Sequence, residues 1–125
     1  MRPEVERLAS DPGGLIAITG RAVAGDRFAA LFLEFGEGTL ELTCDDDTDE
    51  VVASVIEGGP DHRDVVGHSA LTDLAGLELE YAWELRNHRG YVDGFQLRFT
   101  GGDGREETRQ FEVAGSAMDV YRVTR

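Results

Sequence analysis

The sequence predicts a mainly β, α+β fold: an antiparallel meander of about seven strands, strongly twisted or partly barrel-like, with one or two short helices packed on it. Three observations lead there. Leu77, Leu79, Tyr81, Trp83 and Leu85 share one parity while Glu78, Glu80, Ala82 and Glu84 share the other, the two-residue period of a half-buried strand. After the polar link Asn87-His88-Arg89-Gly90 the alternation resumes, with Tyr91, Phe95, Leu97 and Phe99 opposite Val92, Gly94, Gln96 and Arg98, so the two runs form a hairpin. Short apolar runs separated by glycine-bearing turns recur through the rest of the chain.

Taken in order, Pro3 to Ala9 reads as a turn or two of helix with Val5 and Leu8 on its inner side, closed by Ser10-Asp11-Pro12-Gly13-Gly14. Leu15 to Val23 is short, apolar and β-branched, a first strand. Phe28 to Phe35 is apolar on both parities until Glu34, which predicts a central strand covered on both faces. Gly36-Glu37-Gly38 turns into Thr39 to Cys44, where Leu40, Leu42 and Cys44 face inward; Val51 to Ile56 follows as a strand. Gly58 to Gly67 is a long link. Ser69 to Ala75, with Ser69 as N-cap and Gly76 as stop, is expected to be a short helix. Thr108 to Val113 is a last clear strand, and Ser116 to Val123 fits a helical turn or an edge strand equally well.

A chain of 125 residues is expected to form a single domain, spanning 1–125, that buries a core without disulfide or metal. Cys44 is the one cysteine, which excludes an internal disulfide and a CxxC motif. The start, Met1 to Arg7, lacks the apolar stretch of a secretory signal, and no run approaches transmembrane length, so the expected setting is cytoplasmic, without membrane contact. Charge is unevenly placed. Between Glu34 and Asp64 eleven acidic residues face Arg63 alone, so this stretch holds most of the formal −13. Such a field repels nucleic acid and anionic membrane and attracts a basic protein surface or a cation.

No catalytic motif is present: there is no GxSxG elbow, P-loop or GxGxxG, and no cofactor is expected. Asp45-x-Asp47-x-Asp49 has the spacing of the first three EF-hand ligands, but Glu50 stands where that loop needs glycine and Ile56 where it needs the bidentate glutamate. Asp45, Asp46, Asp47, Asp49 and Glu50 therefore read as a solvated acidic tip that meets a partner, with weak divalent-cation binding at Asp45, Asp47 and Asp49 as the alternative. His62, Asp64, His68 and His88 lie in loops and read as surface residues, and Cys44 as a small inward side chain. Asp93 breaks the alternation on the parity of the aromatics. With Trp83, Asn87 and Tyr91 it is the candidate for a ligand pocket, against the plainer role of a buried acceptor satisfied by neighbouring donors.

The pattern Ala70-Leu71-x-x-Leu74-x-Gly76, then Trp83, then Asn87-x-x-Gly90-Tyr91-x-Asp93-Gly94-x-Gln96 resembles a group of small acidic bacterial proteins that share this tryptophan and N-x-x-G-Y-x-D turn and have no assigned function. The resemblance implies a bacterial, stand-alone domain and no particular activity. Two functional classes follow from the residues. The first is a non-catalytic acidic protein docking on a basic protein partner, a toxin-neutralising immunity protein being its concrete form. The second is a small enzyme or ligand-binding domain with its pocket at the Trp83/Asp93 hairpin. Exposed sheet edges favour self-association and acidic strands oppose it, which leaves the oligomeric state open.

Overall fold

The computed structural model describes residues 1–45, 47–57, 64–65 and 67–123. Among these, one helix, α1 (Pro3–Ser10), precedes nine strands: β1 (Leu15–Ala24), β2 (Arg27–Phe35), β3 (Gly38–Asp45), β4 (Glu50–Ile56), β5 (Asp64–Val65), β6 (Glu78–Arg86), β7 (Val92–Thr100), β8 (Glu106–Ala114) and β9 (Ala117–Val123). Seven run in one hydrogen-bonded path, β4-β3-β2-β9-β8-β7-β6, with β1 beside β2 and β5 beside β1. All the pairings are antiparallel, and the sheet curls into a half-barrel. The undecided segment from Ser116 is thus mainly strand. Gly115 and Ser116, both at positive φ, form the two-residue mirror-image turn between β8 and β9, whose twist matches that of the paired strands.

Two meanders, β1–β4 and β6–β9, meet at a single register pair, Phe28 with Met118. Arg27 fastens this seam: its Nε donates to Asp119 at 3.1 Å, and Nη2 reaches the carbonyls of Ala114 and Ala117. Across the opening of the curl β4 approaches β7, and α1 packs against β3, β4 and β6 with Val5 and Leu8 buried. Leu31, Leu33, Leu40, Leu42, Leu97, Phe99 and Phe111 fill the interior. The central-strand expectation for β2 holds, since Ala30, Leu31, Phe32 and Leu33 are all buried.

Alternation misleads at one place. Leu79 pairs with Phe99 but Tyr81 pairs with Arg98, so Glu80 is an extra residue, a β-bulge. Beyond it the faces exchange. Ala82 packs on the core, while Tyr81 and Trp83 turn outward, 53% and 41% exposed, and stack on each other with centroids 5.4 Å apart. The inward orientation expected for Tyr81 and Trp83 is therefore corrected by a single inserted residue.

The segment read as a helix from Ser69 to Ala75 is a run of turns. Its N-terminal donor is met by His68, whose Nδ1 accepts the Ala70 N–H at 3.0 Å, and its carbonyls are taken by arginines from the sheet. Arg109, only 2% exposed and on the inner face of β8, donates through Nε to the Ala70 carbonyl and through Nη2 to Asp73 Oδ1 at 3.1 Å and Glu107 Oε1 at 2.9 Å. Arg122 donates to the Ser69 carbonyl at 2.6 Å and to Asp73 Oδ2 at 2.9 Å; Arg105 donates to the Asp73 carbonyl at 2.9 Å. Carbonyls held this way cannot serve a regular helix of so few residues. The clamp seats Leu71 and Leu74 in the core, 2% and 0% exposed.

Burial raises the Asp73 carboxyl, but hydrogen bonds from Arg122 and Arg109 and their charges outweigh it, so its pKa lies below the ordinary 3.8. Because the unfolded chain binds that proton more readily, this part of the stability is present above the unfolded pKa and is lost as pH falls through the folded value. Acid unfolding should thus steepen below about pH 4, and Asp73→Asn should flatten that limb in a urea titration repeated across pH. Removing Arg109 leaves buried acceptors and carboxylates without their donor, so Arg109→Ala should cost about 3–5 kcal/mol in the same measurement. A loss below about 1 kcal/mol, the range of an exposed pair, would show that the clamp is not structural.

Candidate functional site

The acidic tip is built into the fold more than its solvated character suggests. Asp45 Oδ1 accepts the Asp47 N–H at 2.9 Å, closing a short turn. Asp49, at φ 55, sends Oδ1 to the N–H and hydroxyl of Ser116 at 2.9 and 3.3 Å. The Glu50 carboxylate accepts the Val92 N–H at 2.9 Å, tying β4 to β7. These carboxylates are aimed at separate backbone donors, and among the described residues no three His, Cys, Asp or Glu side chains gather as metal ligands. Asp46, His62 and Arg63 lie outside the described residues; Asp64 lies in β5 and pairs with Gly20.

At the second candidate, Asn87 organises its own loop: Oδ1 accepts from Arg89 N at 2.9 Å and Tyr91 N at 3.2 Å, and its N–H reaches the Tyr91 carbonyl at 2.9 Å. Gly90 sits at φ +86, a conformation that requires glycine there. Asp93 is the extra residue of a second bulge, between the Leu85–Gly94 and Arg86–Val92 pairs. Trp83 and Tyr91 are exposed on the surface. Among the described residues the Asp93 carboxylate takes part in no hydrogen bond or ion pair, so neither indole nor amide satisfies it there. Cys44 is half-buried against the core, with Sγ near the Phe28 carbonyl.

Charge is segregated in space as it is in sequence. In and beside the β6–β9 meander six acids have arginine partners, Glu80 and Glu106 with Arg98, Glu84 with Arg86, Asp119 with Arg27, and Asp73 and Glu107 with the Arg105, Arg109 and Arg122 group, whereas Glu78, Asp93, Asp103 and Glu112 form no salt bridge among the described residues. Along β3, β4 and their flanking turns, Glu37, Glu41, Asp45, Asp47, Asp49, Glu50 and Glu57 form no salt bridge among the described residues. The first group is a neutralised scaffold; the second projects a net negative field.

Of the cavities that open on the β1–β4 meander, two share one residue, Ile16. A cleft of about 660 Å³ runs beside the β2–β3 turn, with Phe35, Val55 and Ile56 in its walls and Glu34, Glu37 and Glu57 around it. A slot of about 290 Å³ lies between Leu15, Ala17 and Ile18 of β1 and Leu71, Thr72 and Ala75 of the clamped turns. Ile16 divides them because β1 bulges there: Leu15 pairs with Phe35 and Ala17 with Glu34, so Ile16 is unpaired and stands 68% exposed. Sequence reading missed Ile16, Glu37 and Glu57 as site residues. The acidity of their stretch was legible, but the bulge that joins cleft to slot leaves no mark in an apolar run.

The profile of a family of unknown function, DUF6334, matches residues 13–125, and the chain belongs to that family. Neither a curated protein nor a solved structure matches the chain. The family match agrees with the resemblance carried by the Trp83 and Asn87-x-x-Gly90-Tyr91-x-Asp93 pattern, which likewise leads to an uncharacterised family. No helix among the described residues is long and apolar enough to cross a membrane.

The tip separates structural from free carboxylates. Asp49→Ala and Glu50→Ala should each lower stability by about 1.5–3 kcal/mol, the worth of a hydrogen bond to a charged group. Asp47→Ala, at an exposed side chain, should stay within about 0.5 kcal/mol. Urea midpoints of the three variants test this, and equal losses at all three would remove the distinction.

Proposed function

We propose that this chain is a non-catalytic binding protein that docks its acidic β1–β4 meander on a basic protein partner in the bacterial cytoplasm, with neutralisation of a basic toxin as the concrete form. What carries this reading is the uneven placing of charge: arginines pair with six acids in and beside the β6–β9 meander, while seven acids from Glu37 to Glu57 have no arginine partner among the described residues. A field of one sign on one side of a small protein raises the rate of encounter with an oppositely charged surface and fixes its orientation. The acidic tip contributes to the field through Asp45 and the exposed Asp47, while Asp49 and Glu50 hold the tip in shape. Glu37, Glu41 and Glu57 extend the same field along β3 and the ends of β2 and β4.

Charge reversal tests the reading. The purified protein and its Glu37→Arg/Glu41→Arg/Glu57→Arg variant, immobilised separately, are exposed to native cell extract at low salt and washed at rising ionic strength. The expected result is a basic protein retained by the parent, absent from the variant, and released once the Debye length falls to roughly 3 Å near 1 M salt. Retention of the same proteins by parent and variant would overturn it.

A further inference from the structure

We infer that the docking surface is the cleft and slot on either side of Ile16, and that its occupant is a short extended segment of the basic partner carrying an apolar anchor next to arginine or lysine. This rests on the acidic-docking reading above and gives it a place and a recognition chemistry. The two cavities differ in character yet adjoin at one exposed side chain, Ile16, which lines both. Every residue lining the slot is uncharged, and its volume lies near the lower end of the roughly 300–1,000 Å³ typical of small-ligand pockets, room for an apolar side chain to be withdrawn from water. The cleft next to it is apolar at Phe35, Val55 and Ile56, and its exposed Glu37 and Glu57 offer two carboxylates to a cation arriving over that floor.

The backbone favours an extended occupant. On the edge of β1 away from β2, Leu15 is held by Leu77 and Gly76, and Thr19 and Gly20 are paired with β5. Between those points, among the described residues, Ile16, Ala17 and Ile18 have no strand beside them, and this notch in the edge coincides with the mouth of the slot. An extended segment laid along a notched edge places successive side chains on opposite sides. One side then meets the slot and the other the glutamates, which matches an alternation of apolar and basic residues. Charge complementarity sets the sign of the partner, since among the described residues no basic side chain lines either cavity.

The probe is a displayed random-peptide library panned against the intact protein, followed by binding of the selected peptides to Ile16→Ser and to Glu37→Arg/Glu57→Arg. Ile16, Glu37 and Glu57 are exposed, so both variants should keep the parent melting temperature. The expected outcome is enrichment of peptides that pair an aliphatic or aromatic residue with arginine or lysine. Their affinity should fall roughly tenfold or more in each variant, about 1.4 kcal/mol, and the amide resonances of Ile16 to Ile18 should shift on binding. Basic peptides that bind both variants unchanged and shift Asp45 to Glu50 instead would overturn this surface while sparing the wider docking proposal. A selection yielding neutral or acidic peptides, or no binders, would overturn both.

Discussion

A buried guanidinium sets the terms for the rest of the molecule. Arg109 stands on the inner face of the sheet, in register with Leu97 on one side and Arg122 on the other, where an apolar residue would ordinarily sit. A charge in that position is tolerable only if its donors are matched. The match is made by the turns from Ser69 to Gly76, which supply a carbonyl and the Asp73 carboxylate, with Glu107 completing the set. Those turns then bring Leu71 and Leu74 into the core, and Gly76 and Leu77 to the start of β1. The wall of the slot beside Ile16 is made of the same turns. The clamp and the wall of the slot are therefore one construction, approached from the inside and from the outside.

The division of charge between the meanders has a thermodynamic side. Partnered acids on β6–β9 hold the arginines in place, whereas the acids along β3 and β4 repel one another and oppose compaction. That repulsion is tolerated because the strands beneath are among the most thoroughly buried in the molecule: Leu31, Leu33, Leu40 and Leu42 are each at 0% exposure. It also protects β4, the outermost strand of the path, from pairing with other chains, since acids at an exposed edge discourage added strands.

Much of the fold was legible because strands write their period into the chain. β2 was readable from its apolar run on both parities, and the hairpin of β6 and β7 from its alternation. What alternation cannot record is an extra residue. The bulges at Ile16, Glu80 and Asp93 each change which side chains face outward, and they decide the exposure of Ile16, Tyr81 and Trp83. The turns after His68 were misread because local propensity favours a helix there, while the deciding acceptor chemistry comes from arginines more than thirty residues away, at 105, 109 and 122. A signal for the clamp did exist: Glu107 and Arg109 share the parity of Phe111, placing charges on a core-facing side. Of the candidate site, the acidic stretch could be read directly, but the cleft and slot arise from contacts between segments distant in sequence.

The bulge at Glu80 leaves one residue of β6 outside the count that sets which of its neighbours face inward. Were that one residue deleted, Leu79 and Tyr81 would follow each other opposite Phe99 and Arg98 in regular alternation, so Tyr81 and Trp83 would stay outside and Ala82 inside. Among relatives, loss of this residue would thus smooth the strand while keeping its aromatic exterior. Alignments of this region can place a one-residue gap at Glu80 without a change of surface, whereas a gap in a regular stretch of the strand would turn its side chains to the opposite face.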